Sequence, residues 1–155
     1  MMLFDGLLDK YSLAGSFTFK PSEFIRDKCN APKDKAGIYL IFKVIKKKEI
    51  LIYIGASGQK TLKRTLKIRK GGIYDRLING YHPNRFGESK RIKRYKAFPN
   101  QMLKEEIPQI KIYWWVTHND KYLDFPTDVE AFLMKIYCDT FEARPDWHNK
   151  LEDLE

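Results

Sequence analysis

The amino-acid sequence predicts an α/β domain with a small, mainly antiparallel three-stranded sheet flanked by helices. Residues 36–58 contain two apolar runs around a lysine cluster, which is typical of a β-hairpin. β-Branched and aromatic residues at 110–117 predict a third strand. Apolar residues at helical spacing from 128 to 142 predict a final helix. The chain has 155 residues, 43% of them hydrophobic, and is long enough to bury one core.

Several segments precede or join these elements. Residues 1–35 are assigned to an N-terminal extension packed on the domain, and residues 36–155 to the domain itself. The stretch "QKTLKRTLKI" at 59–68 has basic residues at helical spacing and predicts a helix with a cationic face. A short helix is predicted at 73–79. Residues 81–108 are polar and contain three prolines, which predicts a loop or short helix facing nucleic acid.

The chain is strongly basic, and its charge is unevenly distributed. It has 29 Lys and Arg residues against 20 Asp and Glu, a net charge of +9. Residues 58–96 contain 13 basic and two acidic residues, so this segment carries more than the whole net charge. Such a region is typical of a surface that follows the phosphates of a nucleic acid, although lysines also keep ordinary surfaces solvated. The residues predicted to contact nucleic acid are Lys60, Lys63, Arg64, Lys67, Lys90, Arg91 and Arg94.

Hydropathy and the positions of cysteine and histidine bear on secretion, membrane insertion, disulfides and metal sites. The chain has no signal-peptide pattern and no apolar run near the ~20 residues that span a bilayer, so we expect a cytoplasmic protein without a membrane partner. Cys29 and Cys138 have no spacing typical of a disulfide framework or a metal site. His118 and His148 are predicted to be ordinary surface or turn residues.

The two strands of the hairpin have one wholly apolar face each. Alternation places Ile38, Leu40, Phe42 and Val44 together on one strand, and Ile50, Ile52 and Ile54 together on the other. Both sets face the same core only if the two residue numbers in each cross-strand pair add up to an even value. This requires either a loop with an odd number of residues or a bulge. Tyr39 and Tyr53 then lie side by side on the opposite face, where they either serve chemistry or pack beneath a helix.

These residues resemble the GIY-YIG nuclease family, whose two tripeptides are intact here. The first is Gly37-Ile38-Tyr39, and the second is Tyr53-Ile54-Gly55. Family members continue with an arginine, a late glutamate and a final asparagine, which correspond here to Arg76 in "GGIYDRLING", Glu130 in "TDVEAF" and Asn149 in "RPDWHN". The resemblance covers residues 36–149. It implies a divalent-metal-dependent endonuclease of restriction or repair type that hydrolyses DNA phosphodiester bonds.

The resemblance also implies a role for each residue. Arg76 would bind the phosphate oxygens that gain charge in the transition state, as a guanidinium fork can do. Glu130 would hold Mg²⁺ or Mn²⁺, which prefer hard oxygen ligands. Tyr39 would activate the attacking water, but a free phenol has a pKa near ~10, so this role requires nearby positive charge from Arg76, the metal, Lys60 or Lys63. Tyr53 would orient the phosphate, and Asn149 would position the substrate.

Three alternatives remain open from the sequence. Arg64 lies 11 residues after Tyr53 and competes with Arg76, which lies 23 residues after it, for the role of catalytic arginine. Glu130 is also the residue that would complete a capping box with Thr127 as N-cap. The whole chain could be a catalytically inactive basic module that binds nucleic acid.

Overall fold

A computed structural model describes residues 2–82 and 92–148 of the chain. The predicted site residues Lys90, Arg91 and Asn149 lie outside these ranges. The strands are β1 (Ala14–Phe19), β2 (Gly37–Ile45), β3 (Lys48–Ser57), β4 (Gln59–Lys60), β5 (Leu66–Lys67), β6 (Tyr81–His82), β7 (Ile92–Lys93) and β8 (Gln109–Val116). The helices are the 3₁₀ turn Met2–Phe4, α1 (Ile25–Lys28), α2 (Gly72–Asn79), α3 (Arg94–Lys104) and α4 (Pro126–Phe141).

The central sheet is antiparallel and has the strand order β1-β8-β2-β3. The mixed α/β class is confirmed, but the sheet has a fourth strand beyond the three predicted. This strand, β1, comes from residues 1–35 and pairs with β8, with Phe17 opposite Ile112. Phe17 and Phe19 are two residues apart, so their side chains point to the same side of the sheet. Burial of both rings in the core stabilises β1 as an edge strand.

A bulge sets the register of the β2–β3 hairpin. Tyr39 pairs with Gly55, and Ile41 pairs with Tyr53, so the paired numbers sum to an even value up to this point. The register then shifts between Ile41 and Phe42, which fulfils the predicted need for an odd loop or a bulge. Ile52 is the extra residue of the bulge, between the pairs Ile41–Tyr53 and Phe42–Leu51, and it packs in the cluster of Tyr39 rather than with Ile54 as predicted.

The two faces of the sheet pack against different elements. One face, with Tyr39 and Ile41, packs against buried residues of α2 and α3 such as Leu77 and Phe98. The other face, with Leu40 and Ile54, packs against the N-terminal residues and α4. Within the described ranges, no helix has the length and apolar content required to cross a membrane.

Residues 59–68 form a two-stranded ribbon, β4 with β5, and not the predicted helix. The Thr61 hydroxyl accepts a hydrogen bond from the Thr65 backbone N–H at 3.1 Å, and Arg64 adopts a positive φ of 58°. Threonine side chains that bond locally to the backbone favour turns over helices, and this outweighs the helical spacing of the basic residues. The predicted cationic helical face is therefore wrong, and Lys60, Lys63, Arg64 and Lys67 lie on this ribbon instead.

Helix α4 begins without the predicted capping box. Its N-cap is Phe125, with no side-chain hydrogen bond to the cap, and Pro126 occupies the start of the helix. Thr127 lies inside the first turn, so Glu130 is not at the position where a capping glutamate would bond back to the N-cap.

Candidate active site

The glycines of the two tripeptides have structural roles. A Cβ atom at Gly37 would lie 1.9 Å from the backbone oxygen of Trp115 on β8, so β2 approaches β8 only because this residue is glycine. At Gly55 a Cβ atom would lie 2.2 Å from Cζ of Tyr39. The ring of Tyr39 therefore lies directly over Gly55, and the second tripeptide makes room for the tyrosine of the first.

Tyr39 and Tyr53 share one face of the sheet, as the hairpin register predicts. Their rings are stacked, with centroids 6.2 Å apart and an interplanar angle of 18°. Tyr39 has 0% of its surface exposed, and Tyr53 is partly buried against the same core cluster. The two tyrosines thus pack beneath helices and also lie close to each other.

Arg94 joins the two phenols. It is 2% exposed, and its Nη1 donates a hydrogen bond to the hydroxyl of Tyr39, while Nη2 donates to the hydroxyl of Tyr53 at 3.4 Å. Nη1 also lies 3.3 Å from the backbone carbonyl oxygen of Arg76. This buried position differs from the DNA-contacting surface predicted for Arg94. We call Tyr39, Tyr53 and Arg94 the buried cluster.

Burial and neighbouring charges set the protonation of Tyr53 and Arg94. Burial raises the pKa of Tyr53 to about 12, and Tyr39 adds to the rise, although Arg94 and Arg76 oppose it. Burial acts to lower the pKa of Arg94, but Tyr39 and Tyr53 outweigh it and raise the pKa. At neutral pH, Tyr53 is therefore a neutral hydrogen-bond donor, and the guanidinium of Arg94 stays charged.

An open cleft with a volume of about 460 Å³ lies at the end of β3 and brings Arg76 and Glu130 together. Arg76 comes from α2, and Glu130 comes from the second turn of α4. The Ser57 hydroxyl donates to the carbonyl oxygen of Gly72 at 3.3 Å and so ties β3 to the start of α2. The cleft is lined by Ala56, Ser57, Gly58, Gln59, Lys67, Ile68, Arg69, Lys70, Arg76, Thr127 and Glu130.

The cleft is positively charged around one carboxylate. Burial raises the pKa of Glu130, while Arg76 and Arg94 act to lower it. The Nε of Arg76 is buried and has no hydrogen-bond partner in the described part of the chain. Arg69 is held at the rim by an ion pair with Asp75, with 2.8 Å between Nε and the carboxylate oxygen. This arrangement suits an anionic ligand that brings oxygen acceptors to Arg76.

A divalent cation fits the cleft only in company with such a ligand. Glu130 is the one carboxylate among the lining residues, and no group of three or more acidic, histidine or cysteine side chains that could hold a metal occurs within residues 2–82 and 92–148. Mg²⁺ commonly binds through one or two carboxylates, waters and substrate phosphates. The donor set therefore fits Mg²⁺ or Mn²⁺ that is shared between Glu130 and a bound phosphate.

The basic residues of the β4–β5 ribbon differ in their positions. Lys67 lines the cleft, whereas Lys63 and Arg64 lie exposed at the turn of the ribbon. Lys60 forms an ion pair with Asp128 at 3.2 Å and lies over the ring of Phe125. Of the two competing arginines, Arg76 lines the cleft and Arg64 does not.

His148 is a part of this region that the sequence did not predict. Its ring stacks on Tyr53, with centroids 4.1 Å apart, and its Nε2 accepts a hydrogen bond from the backbone N–H of Ile54 at 3.0 Å. The prediction of an ordinary surface residue is wrong, because His148 covers the open edge of β3. Burial lowers the pKa of His148 to about 4, so the ring is neutral at pH 7. Its position after a proline and a tryptophan gave no signal of this contact.

No family model matches the chain, and neither a curated protein nor a solved structure matches it. Membership of the GIY-YIG family therefore stays a prediction that rests on the two tripeptides and on the residues that follow them.

Proposed function

We propose that this protein is a divalent-metal-dependent DNA endonuclease of the GIY-YIG type. The observation that carries the proposal is the closeness of four side chains that are far apart in the sequence, although Tyr39 and Tyr53 do not line the cleft itself. Arg76 and Glu130 line one cleft, and Tyr53, stacked on Tyr39, interacts electrostatically with both. In this proposal β2, β3 and β8 are the three-stranded sheet implied by the family resemblance, and β1 is an addition at its edge.

The cleft offers the groups that phosphodiester hydrolysis requires. The guanidinium of Arg76 would donate hydrogen bonds to the non-bridging oxygens, whose charge grows in the transition state. Glu130 would hold Mg²⁺ or Mn²⁺, and the bound metal would polarise the phosphate and stabilise the leaving oxygen. Lys67 and Lys70 would attract the adjacent phosphates of the DNA strand.

The two tyrosines would have different roles. Tyr53 has a pKa of about 12, so at neutral pH it would donate a hydrogen bond to a phosphate oxygen and could not act as a base. Tyr39 is the proposed base for the attacking water. The positive charge that this role requires would come from Arg94, which bonds to Tyr39, rather than from Lys60, which pairs with Asp128.

A catalytically inactive module that binds nucleic acid is the second candidate. The complete burial of Tyr39 favours it, because a general base must reach the proton that it removes. The inactive module would keep the basic cleft and bind DNA through phosphates alone.

Incubation of the purified protein with plasmid and short duplex DNA separates the two candidates. The nuclease should cut with Mg²⁺ or Mn²⁺ and not with chelator, and the Glu130→Gln variant should bind DNA without cutting it. If the wild-type protein binds duplex DNA but cuts neither substrate with either metal, the inactive module is the better account.

A further inference from the structure

Arg94 is a buried cation that forms no direct ion pair in the described part of the chain, although Glu130 interacts with it electrostatically. Its side chain forms none of the ion pairs found there, and its Nε has no hydrogen-bond partner among the described residues. Removing a guanidinium from water is costly unless anions or good acceptors replace the water. A methionine or leucine would fill the same core space without this cost. The position of Arg94 therefore calls for a reason other than packing.

The hydrogen bonds of Arg94 go to the tyrosines and to the helix of Arg76, and its guanidinium also lies 5.5 Å from the ring centroid of Phe98. Two nitrogens of its fork bond to the hydroxyls of Tyr39 and Tyr53, and the guanidinium carbon lies 5.3 and 5.4 Å from their ring centroids. Nη1 also bonds to the carbonyl oxygen of Arg76, and the backbone N–H of Arg94 donates to the carbonyl of Gly80 at 2.9 Å. Arg94 thus links both phenols to α2.

We propose that Arg94 is a positioning residue, whose planar fork fixes the two phenol hydroxyls relative to Arg76 and holds a permanent positive charge beside them. It does not line the cleft and has almost no exposed surface, so it acts through the tyrosines and not by touching DNA. A lysine would replace it only in part, because its ammonium donors rotate on a flexible stem and do not form the rigid planar fork that fixes two hydroxyls at set positions. This inference rests on the proposed function for its effect on rate, but not for its structural content.

The structural content can be measured without any cleavage. With tyrosine labelled with carbon-13 at Cζ, the NMR signals of Tyr39 and Tyr53 should both move in the Arg94→Met variant, because the Cζ shift reports hydrogen bonding and nearby charge. The signal of Tyr113, whose hydroxyl bonds to Glu49, is the matched control and should stay in place. Unchanged signals for Tyr39 and Tyr53 would overturn the proposal.

The functional content is tested by separating rate from binding. In Arg94→Met the single-turnover cleavage rate should fall about 10²-fold, as expected when reacting groups lose their alignment. The Kd for duplex DNA and its salt dependence should match wild type, because Arg94 is buried.

The control is Arg64→Met, which removes an exposed arginine and should weaken binding instead. Arg94→Lys should recover only part of the rate. If Arg94→Met weakens DNA binding as Arg64→Met does, Arg94 is a DNA contact and the proposal is wrong.

A double variant keeps the test decisive if Arg94→Met alone fails to fold. In Arg94→Met/Tyr39→Phe both buried partners become apolar, so no hydroxyl of Tyr39 is left unsatisfied and the melting temperature should equal or exceed that of wild type. Its rate should be close to that of Tyr39→Phe alone, because Tyr39 is one of the two hydroxyls through which Arg94 acts and only that of Tyr53 remains for it to hold. A rate far below that of Tyr39→Phe would contradict the proposal. If wild type does not cut, the nuclease proposal fails, while the NMR and binding results still decide the role of Arg94.

Discussion

The buried cluster and the Arg76–Glu130 cleft are neighbours that differ in their access to solvent. In the cluster, Arg94 is enclosed by phenols and bonds to them. In the cleft, Arg76 is only partly buried and lines the wall together with Glu130. Two arginines in one basic region are therefore suited to different roles. One is open to an incoming anion, and the other fixes protein groups behind it.

The largest expected effect concerns the carboxylate of the cleft. Glu130→Gln preserves shape but removes the charge that would hold the metal. Cleavage should fall to background, a greater loss than the about 10²- to 10³-fold expected for one hydrogen-bond donor. DNA binding should persist or tighten, because the variant removes one negative charge from the cleft in which a DNA phosphate is proposed to bind. Single-turnover cleavage and a filter-binding or anisotropy titration measure the two effects.

The matched control for Glu130→Gln is Asp128→Asn. Asp128 lies on the same helix and is exposed, but it pairs with Lys60 and does not line the cleft. Asp128→Asn should therefore cut at nearly the wild-type rate. Equal losses in the two variants would show that charge at the start of α4, and not a ligand in the cleft, controls activity.

The next effect separates the competing arginines. Arg76→Ala removes the guanidinium that lines the cleft, and the single-turnover rate should fall by about 10²- to 10³-fold. Arg64→Ala removes an exposed residue at the turn of the β4–β5 ribbon, so its rate at saturating protein should stay within a few-fold of wild type. An inactive Arg64→Ala together with an active Arg76→Ala would reverse the assignment.

A third effect tests how closed the buried cluster is. His148 covers Tyr53 and is neutral in the folded chain, because burial lowers its pKa from 6.5 to about 4. Between these values the unfolded chain binds the proton and the folded chain does not, so stability falls as the pH is lowered from 6.5 to 4. The loss of unfolding free energy should reach at most about 3 kcal/mol.

The control for this effect is urea unfolding of His148→Gln across the same pH range. The raised pKa of Glu130 acts in the opposite direction, because a carboxyl that binds its proton more readily when folded adds stability on acidification. Glu130 is present in both proteins, so their difference isolates His148. Parallel pH profiles would mean that His148 is open to water and that the cluster is not closed at this side.

The parts of the fold that follow from local periodicity could be predicted from the sequence. The side-by-side placement of Tyr39 and Tyr53 follows from strand alternation and an even register. The prediction of a helix at 59–68 is wrong, because it rests on the helical spacing of the basic residues alone. That spacing carries no information on the local hydrogen bond between Thr61 and Thr65, which favours a turn. Strand β1 depends on a partner about a hundred residues away, which no local pattern reveals.

The candidate site, like the fold, could be predicted from the sequence only in part. Arg76 and Glu130 were found through their order after the tripeptides, and the structure brings them to one cleft. The contacts of Arg94 and His148 could not be found this way. Arg94 lies in a lysine- and arginine-rich stretch, between the exposed Lys93 and Lys96, and the hydroxyls of Tyr39 and Tyr53 distinguish its environment from theirs. Burial of a charged residue is decided by distant partners, and sequence composition records only that it is charged.

The smallest expected effect concerns electrostatic binding at the cleft, and it sets the cleft against the far end of the same hairpin. Lys67 lines the cleft, near the Ser57 end of β3, whereas Lys47 lies at the β2–β3 turn beside Lys48, where β3 begins. Ten residues at about 3.3 Å each separate the two ends of β3 by about 30 Å, several times the about 8 Å screening length at physiological salt. Both lysines are exposed and carry the same charge.

If DNA occupies the cleft, Lys67→Ala should lower the slope of log K against log salt by about one, because one fewer counterion is released. Lys47→Ala should leave the slope unchanged, since it removes the same charge from a surface that DNA does not reach. Titrations at four or five salt concentrations measure the slopes, and equal changes in both variants would mean that DNA binds the positive chain without choosing the cleft.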